Sequence, residues 1–466
     1  MTFLLFIQYA VLTYFVSVNT FYAVQLTVAF TEMIQHMRRT RGEARWRVLN
    51  SRVAPRISIL APAYNEEETV HQSVRALMAL QYPRLEVVLI NDGSKDRTME
   101  VAIREFGLKP VHPAHAGRIA CQEITKLYRS HSHPNLLVVD KLNGGKADAL
   151  NAGLNLATGD LVCAMDADTL IEPDALQRMV RPFLFDDRIV AAGGTIRIAN
   201  GSIMRGGQII ELRVPRRPIP GFQIVEYLRA FLFGRLGWNK MGGNLVISGA
   251  FGLFKREEVI AVGGYAHGSV GEDIELVLKL RRRGYEVPGT PSEIAFVPDP
   301  VAWTEAPETL AVLGRQRDRW HRGLADTLWR HRTIIFNPRY GALGLVVMPY
   351  FLIVELMAPV IEAFGVFGLI LGLLGGAVNF PFAILFFLLA YGYGMLLTVM
   401  TLLLEELSYH RYQRVRDLWV LLGWALLENL GYRQLTVWWR LRGLWKFLRG
   451  NTQWGEMTRR GIGQSK

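Results

Sequence analysis

The sequence predicts an α/β domain with a mainly parallel central sheet, joined to apolar helices at both ends of the chain. Three observations carry that expectation. Short apolar runs alternate with helical segments between Ile57 and Ala164, long apolar stretches stand near both termini, and polar residues gather where the predicted strands end. Strand–helix–strand alternation of this kind builds a parallel sheet with helices on both faces. In such sheets ligands bind outside the carboxyl ends of the strands. Asn65, Asp92, Lys146, Asp166 and Asp168 all fall there.

Taken in order, residues 3–30 are apolar, interrupted only by Gln8, Asn19 and Gln25. The run is long enough for one transmembrane helix, too long for the core of a cleaved signal peptide, and has no basic leader. Arg38, Arg39, Arg41, Arg45 and Arg47 follow at once, which puts its carboxyl end on the cytoplasmic side. Strands are expected at 57–61, 86–90, 136–139 and 161–164. Glu66, Glu67 and Glu68 open the first helix, where acidic side chains suit the positive end of the dipole. Residues 189–198 read as a further strand. Phe222, Val225, Tyr227, Leu228, Phe231, Leu232 and Leu236 then repeat at helical spacing among Arg213, Arg216, Arg217, Arg229 and Arg235, which favours a helix lying on the membrane surface over a core helix.

After Asn337 the composition changes. Residues 343–378 and 380–404 read as a transmembrane hairpin with its turn outside, returning to a basic loop at 409–416. Pro349, Glu355, Pro359 and Glu362 make the first arm irregular. Residues 417–439 are apolar but carry Glu428, Asn429 and Arg433, which are costly in lipid, so an interfacial or re-entrant segment is expected there. The domains read as an N-terminal transmembrane helix at 1–36, a cytoplasmic domain at 50–335 with interfacial helices near 220–238 and 308–330, a membrane region at 340–440, and a basic cytoplasmic tail at 441–466.

Composition agrees. Of 466 residues half are hydrophobic and 20% charged, with a formal net charge of +12. Arginines flank the apolar runs and no aromatic-rich basic motif occurs, which points to membrane lipids and away from nucleic acid. Cys121 and Cys163 are too few for a disulfide framework.

The candidate chemistry sits at the strand ends. Asp166 and Asp168 project to one side of an extended chain. Two hard oxygen donors there suit Mg2+ or Mn2+ shared with nucleotide phosphates; the alternative is a polar turn capping the helix near Glu172. Asp92 in NDGS either accepts hydrogen bonds from a base or ribose, or makes an Asx turn. Asn143-Gly144-Gly145 lets backbone N–H groups approach phosphate, and Lys146 then neutralises charge. The small residues of Ser248-Gly249-Ala250 suit a wall pressed against a ligand. Asp273 is either a helix cap or a general base for a hydroxyl. Gln316, Arg319 and Trp320 share one face of a helix over 308–330, suited to sugar hydroxyls, a diphosphate and a ring face, while Arg315, Arg317 and Arg322 suit a phospholipid surface.

The ordered set PAYNEEETV, NDGSKDRT, GGKADALNAG, DADT, SGAFGLF, GEDIEL and QRDRW resembles the membrane glycosyltransferases of family 2, which include cellulose, chitin, hyaluronan and poly-N-acetylglucosamine synthases. The resemblance runs from about Ile57 to Trp320. It implies a nucleotide-sugar-binding, GT-A-like fold, a divalent metal, Mg2+ or Mn2+, and inverting transfer from a UDP-sugar. Asp92 would contact the uridine, with Ala63 and Glu66 near the base. Lys146 and Asp166 would lie beside the diphosphate, Asp168 would hold the metal with Asp166, and Asp273 would be the catalytic base. Ser248, Gly249 and Glu272 would border the acceptor, and Gln316, Arg319 and Trp320 would bind the diphosphate and the acceptor terminus. The family often shows TED where this chain has Gly271-Glu272-Asp273, which loses a hydroxyl and keeps the carboxylate.

The resemblance implies a multi-pass enzyme of the plasma (inner) membrane making a β-linked glucan or N-acetylhexosamine polymer on the cytoplasmic face. Polymer-exporting members tend to have more spanning helices than the three expected here, so a homo-oligomer, an export partner and no export at all stay open. Two rival readings are transfer of one sugar to a lipid acceptor and a catalytically silent membrane scaffold.

Overall fold

The computed structural model describes residues 2–40, 54–112, 117–166, 169–205, 208–375 and 380–451. Asp168, most of the basic segment after Thr40 and the end of the basic tail lie outside them. The described residues fall into two units: 54–211 with 244–305, and 2–38 with 212–243 and 306–451. The expected domain at 50–335 is therefore divided, because 212–243 and 306–335 group with the apolar helices.

The first unit is built on a ten-stranded sheet. At its centre lie β1 (Ile57–Ala63), β2 (Leu85–Asp92), β5 (Leu136–Lys141) and β6 (Leu161–Ala164). These run parallel in the order β5-β2-β1-β6. Their near-continuous burial is what a parallel strand covered on both faces requires. The expected strands are present, but the sheet as a whole is mixed. β3 (Leu108–Val111) and β4 (Ile124–Ser130) extend one edge antiparallel. On the other side β11 (Gly252–Lys255) inserts antiparallel between β6 and β8 (Ile189–Ile198), and β12 (Glu293–Thr304) runs parallel to β8 with β7 (Leu170–Ile171) at the edge. β9 (Ile203–Arg205) and β10 (Gln208–Glu211) form a separate pair. The sequence pattern missed β11 because a four-residue strand opening on glycine gives little periodic signal.

The helix Lys146–Leu156 seats on the central strands through Leu150 and Leu154, which join Leu60, Val88, Ile90 and Val139 in one apolar core. Gly153 allows the close approach: a Cβ there would come within 3.0 Å of Ile90 Cδ1 and 3.2 Å of Leu60 Cδ2. That seating sets the position of Lys146 at the helix start.

The second unit is helical. Among the described residues one helix is long and apolar enough to cross a bilayer, at Tyr9–Thr40, and the pair Leu343–Leu356 and Ala358–Gly372, bent by 43°, would make a second if it forms one span. Of the three expected spans, the described residues thus support the first outright and a second only if the bent pair counts as one. Residues 380–404 are helical throughout, with a π-helical stretch at Leu388–Gly392.

The segment near 220–238 is not a surface helix. Val225, Leu228, Leu232 and Leu236 are buried within this unit, and Arg229 pairs with Glu428 at 2.6 Å. Arg433 likewise pairs with Glu362 at 2.8 Å, so charges that would be costly in lipid are matched. Residues 417–439 form parts of two helices, Val415–Leu427 and Tyr432–Leu448, separated at Gly431, whose φ is +86°.

The helix Leu310–Arg330 starts at Thr309, whose hydroxyl accepts from Val312 N. Arg317 and Arg322 do not reach toward lipid: both are 5% exposed, the first paired with Glu226 at 2.6 Å and the second with Asp318 at 3.1 Å. Asp318 also pairs with Arg442 at 2.9 Å and Lys446 at 2.7 Å, tying this helix to Tyr432–Leu448.

Burial, helped by the neighbouring Arg440, pushes the His321 imidazole down to about 3. A group depressed in the folded state stabilises the fold above its unfolded value, about 6.5, and loses that contribution as pH falls towards 3. Between pH 7 and pH 5 the wild type should therefore lose about 2 kcal/mol that His321→Asn does not lose, read as unfolding free energies of the two proteins in detergent.

Candidate active site

The loops after β1, β2 and β5 are pressed together. Asn65 takes a left-handed conformation, with φ +56°; its N–H donates to Ser94 Oγ at 3.0 Å and its Oδ1 accepts from Lys95 N at 2.9 Å. Glu66 N donates to Thr98 Oγ1 at 2.8 Å, so the PAYNEE and NDGS segments form one surface. Gly93, with φ +67°, abuts the third loop, where a Cβ would come within 2.7 Å of Asn143 N.

Asp92 is only 4% exposed, and four donors from the protein already occupy its carboxylate. Lys141 Nζ lies at 2.6 Å, Gly145 N at 2.8 Å, Gly144 N at 3.0 Å and Asn143 Nδ2 at 3.2 Å. The expectation that Asp92 faces a uridine is corrected in this respect: the carboxylate is spent on holding the 143–145 loop. The expectation of backbone N–H groups free for phosphate at that loop is corrected with it, since Gly144 and Gly145 donate to Asp92.

Lys146 follows that loop and is the hub of the site. Its Nζ lies 2.5 Å from Asp166 Oδ1 and 3.8 Å from Glu272 Oε1. Burial opposes the ammonium charge, but Asp166, Glu272 and Asp273 outweigh it and hold the amine above its ordinary value. Lys146 is therefore a fixed cation at physiological pH.

Asp273 stands in the first turn of the helix Glu272–Glu286. Its Oδ2 accepts from Gly249 N at 3.1 Å, and its Oδ1 lies 2.9 Å from Ile274 N. The helix is capped at Gly271, so Asp273 is not its cap; a carboxylate steadied by N–H groups keeps lone pairs for another donor, which suits the base reading. Gly249 is where the wall closes on the charges: a Cβ would come within 3.3 Å of Lys146 Nζ and 3.6 Å of Asp273 Oδ2.

Asp166, Lys146, Glu272, Asp273 and Gly249 thus meet. Glu272, 6% exposed, turns to Lys146 where the sequence had it bordering an acceptor. Ser248 folds back, its Oγ 3.3 Å from Ala250 N. Ala63, Glu66 and Asp166 line one small cleft together with Thr169. Gln316, Arg319 and Trp320 belong to the helical unit. There Gln316 is 8% exposed and Trp320 41%, with Arg317 stacked 4.5 Å over the indole. Residue-by-residue reading missed Lys141 and Asp148; an ionisable residue closing an apolar strand was the available signal.

A mixed α/β sheet with Lys146, Asp166, Glu272 and Asp273 gathered beside its parallel strands is a GT-A-like fold. A mannosyltransferase from Pyrobaculum calidifontis, solved in complex with GDP-Man and Mn2+, shares this fold, with a TM-score of 0.51 at 18% identity over 92% of this chain and 99% of its own. Residues 58–112 match the model for glycosyl transferase family 2, and residues 120–323 match that for glycosyltransferase like family 2. The poly-beta-1,6-N-acetyl-D-glucosamine synthase of Staphylococcus aureus strain COL is 31% identical over 275 residues, 59% of this chain and 56% of that protein. The synthase of the same name from Staphylococcus epidermidis is 31% identical over 274 residues, with the same shares. The chain belongs to family 2 of the glycosyltransferases, and its match spans little more than half the length of these relatives.

Gly249→Ala should lower turnover by roughly tenfold or more, since a displacement of well under 1 Å at reacting groups is enough. Its melting temperature should stay close to wild type, because the nearest atoms to the Cβ belong to side chains and none to backbone. Turnover and thermal unfolding measured on one preparation check both.

Proposed function

We propose that this chain is a membrane-attached inverting glycosyltransferase that moves a sugar from a UDP-sugar to a growing polysaccharide, with an N-acetylhexosamine polymer favoured by its relatives. The observation that carries the reading is the gathering of Lys146, Asp166 and Asp273 beside Gly249. The apolar helix Tyr9–Thr40 supports attachment to a membrane, with the sheet unit on the cytoplasmic side.

In this reading the donor diphosphate lies against Lys146, whose charge is fixed and pre-oriented for a leaving group that gains negative charge. Asp273 accepts the proton of an acceptor hydroxyl held along the Ser248–Gly249 wall. The hydroxyl oxygen bonds to the anomeric carbon as the bond from that carbon to the diphosphate oxygen breaks on the opposite face. One displacement inverts the centre, and no covalent enzyme intermediate is needed.

Asp166 offers a hard carboxylate oxygen in the cleft, which fits Mg2+ or Mn2+, with Asp168 as its partner ligand. Among the described residues no three His, Cys, Asp or Glu side chains are arranged to hold a metal ion by themselves, so such an ion would draw on the diphosphate and water as well. When bound, it supplies positive charge to the leaving group.

Membranes incubated with labelled UDP-sugars and Mg2+ or Mn2+ should yield a long saccharide with one of them. A single glycolipid band would favour transfer to a lipid, and no metal-dependent UDP release with any donor would sink the enzymatic reading. Asp273→Asn should cut transfer by a factor of at least about 100 and leave UDP affinity near wild type, as expected for a lost general base.

A further inference from the structure

Lys141 closes β5 with its side chain fully buried, and the mechanism above gives it no task. An ammonium has three donors. All three are used: Asp92 Oδ1 at 2.6 Å, Asp148 Oδ1 at 2.6 Å, and the carbonyl oxygen of Leu142 at 2.6 Å. The two carboxylates approach the 143–146 loop from opposite directions. Asp92, from β2, accepts from Gly144 N and Gly145 N. Asp148, from the first turn of the helix Lys146–Leu156, accepts from Gln122 N at 3.0 Å and fills the space beside Gly144, where a Cβ would overlap its side chain at 2.5 Å.

We propose that Lys141 is a positioning residue for donor binding: it bridges Asp92 and Asp148, offsetting their mutual repulsion, and so locks the Gly144–Gly145 turn that aims Lys146. The inference rests on the reading that Lys146 receives the donor diphosphate. Each carboxylate oxygen is 2.6 Å from the same nitrogen, so the two groups lie within about 5 Å of each other. Without the ammonium they repel, and one must take up a proton or turn away. If Asp92 turns, two backbone N–H groups lose their acceptor and the turn before Lys146 is released. Lys141 is thus more than an apolar stem filling the sheet core, a role that methionine would perform as well.

The test uses the full-length protein in detergent or nanodiscs, with the variants Lys141→Met and Lys141→Met/Asp148→Asn. Amide hydrogen exchange over residues 142–147, measured without nucleotide, reads the clamp itself. Protection there should fall at least tenfold in Lys141→Met and return in the double variant, whose asparagine removes the like-charge conflict. UDP Kd and donor KM read the consequence: both should rise tenfold or more in Lys141→Met with kcat changed less than threefold, and recover in the double variant. Should the single variant fail to fold, a folded double variant with wild-type protection and donor KM supports the clamp, and one with tenfold raised values overturns it. Unchanged exchange and unchanged KM in Lys141→Met also overturn it, as does a loss confined to kcat. A wild type that binds no UDP, with the exchange effect still present, defeats the donor-site reading and leaves the clamp standing.

Discussion

Three carboxylates from two distant parts of the chain, Asp166 and the adjacent pair Glu272 and Asp273, share one ammonium. Placed together without Lys146 they would repel, and a site containing all three would not close. With it, each has a defined neighbour of opposite charge, which is what a leaving-group cation beside a proton acceptor requires. The ion pair at 2.5 Å between Lys146 and Asp166 is therefore the contact on which the rest of the cleft depends.

That contact is only as good as the backbone presenting it. Lys146 begins a helix seated on β1 and β2 by Leu150 and Leu154, and Gly153 lets the helix approach. Just before the helix, Gly144 and Gly145 donate to a carboxylate on β2. The glycines that look from sequence like a phosphate cradle are thus spent on the protein itself. A flexible turn becomes a fixed one, and the lysine after it inherits the precision of the parallel sheet.

The helical unit follows a different logic. Its apolar composition is interrupted by charges, and the structure matches them: Arg229 with Glu428, Arg433 with Glu362, Arg317 with Glu226, and Asp318 with Arg442 and Lys446. Buried pairs of this kind add little net stability, but an unmatched partner would be costly, so they specify which helices meet. Several arginines that suit a phospholipid surface on paper are turned inward for this reason.

Local pattern alone was enough to establish the alternation of strands and helices from Ile57 to Ala164, the placing of Asp92, Lys146 and Asp166 at strand ends, and the ordered motifs that mark the family, because side-chain period and turn chemistry are written in neighbouring residues. The antiparallel insertion of β11, the burial of Asp92 under four donors, the inward turn of Glu272 to Lys146 and the service of Lys141 between two aspartates were decided by tertiary structure. Each of these depends on groups far apart along the chain competing for the same hydrogen bonds and the same charge, and that competition has no local signature.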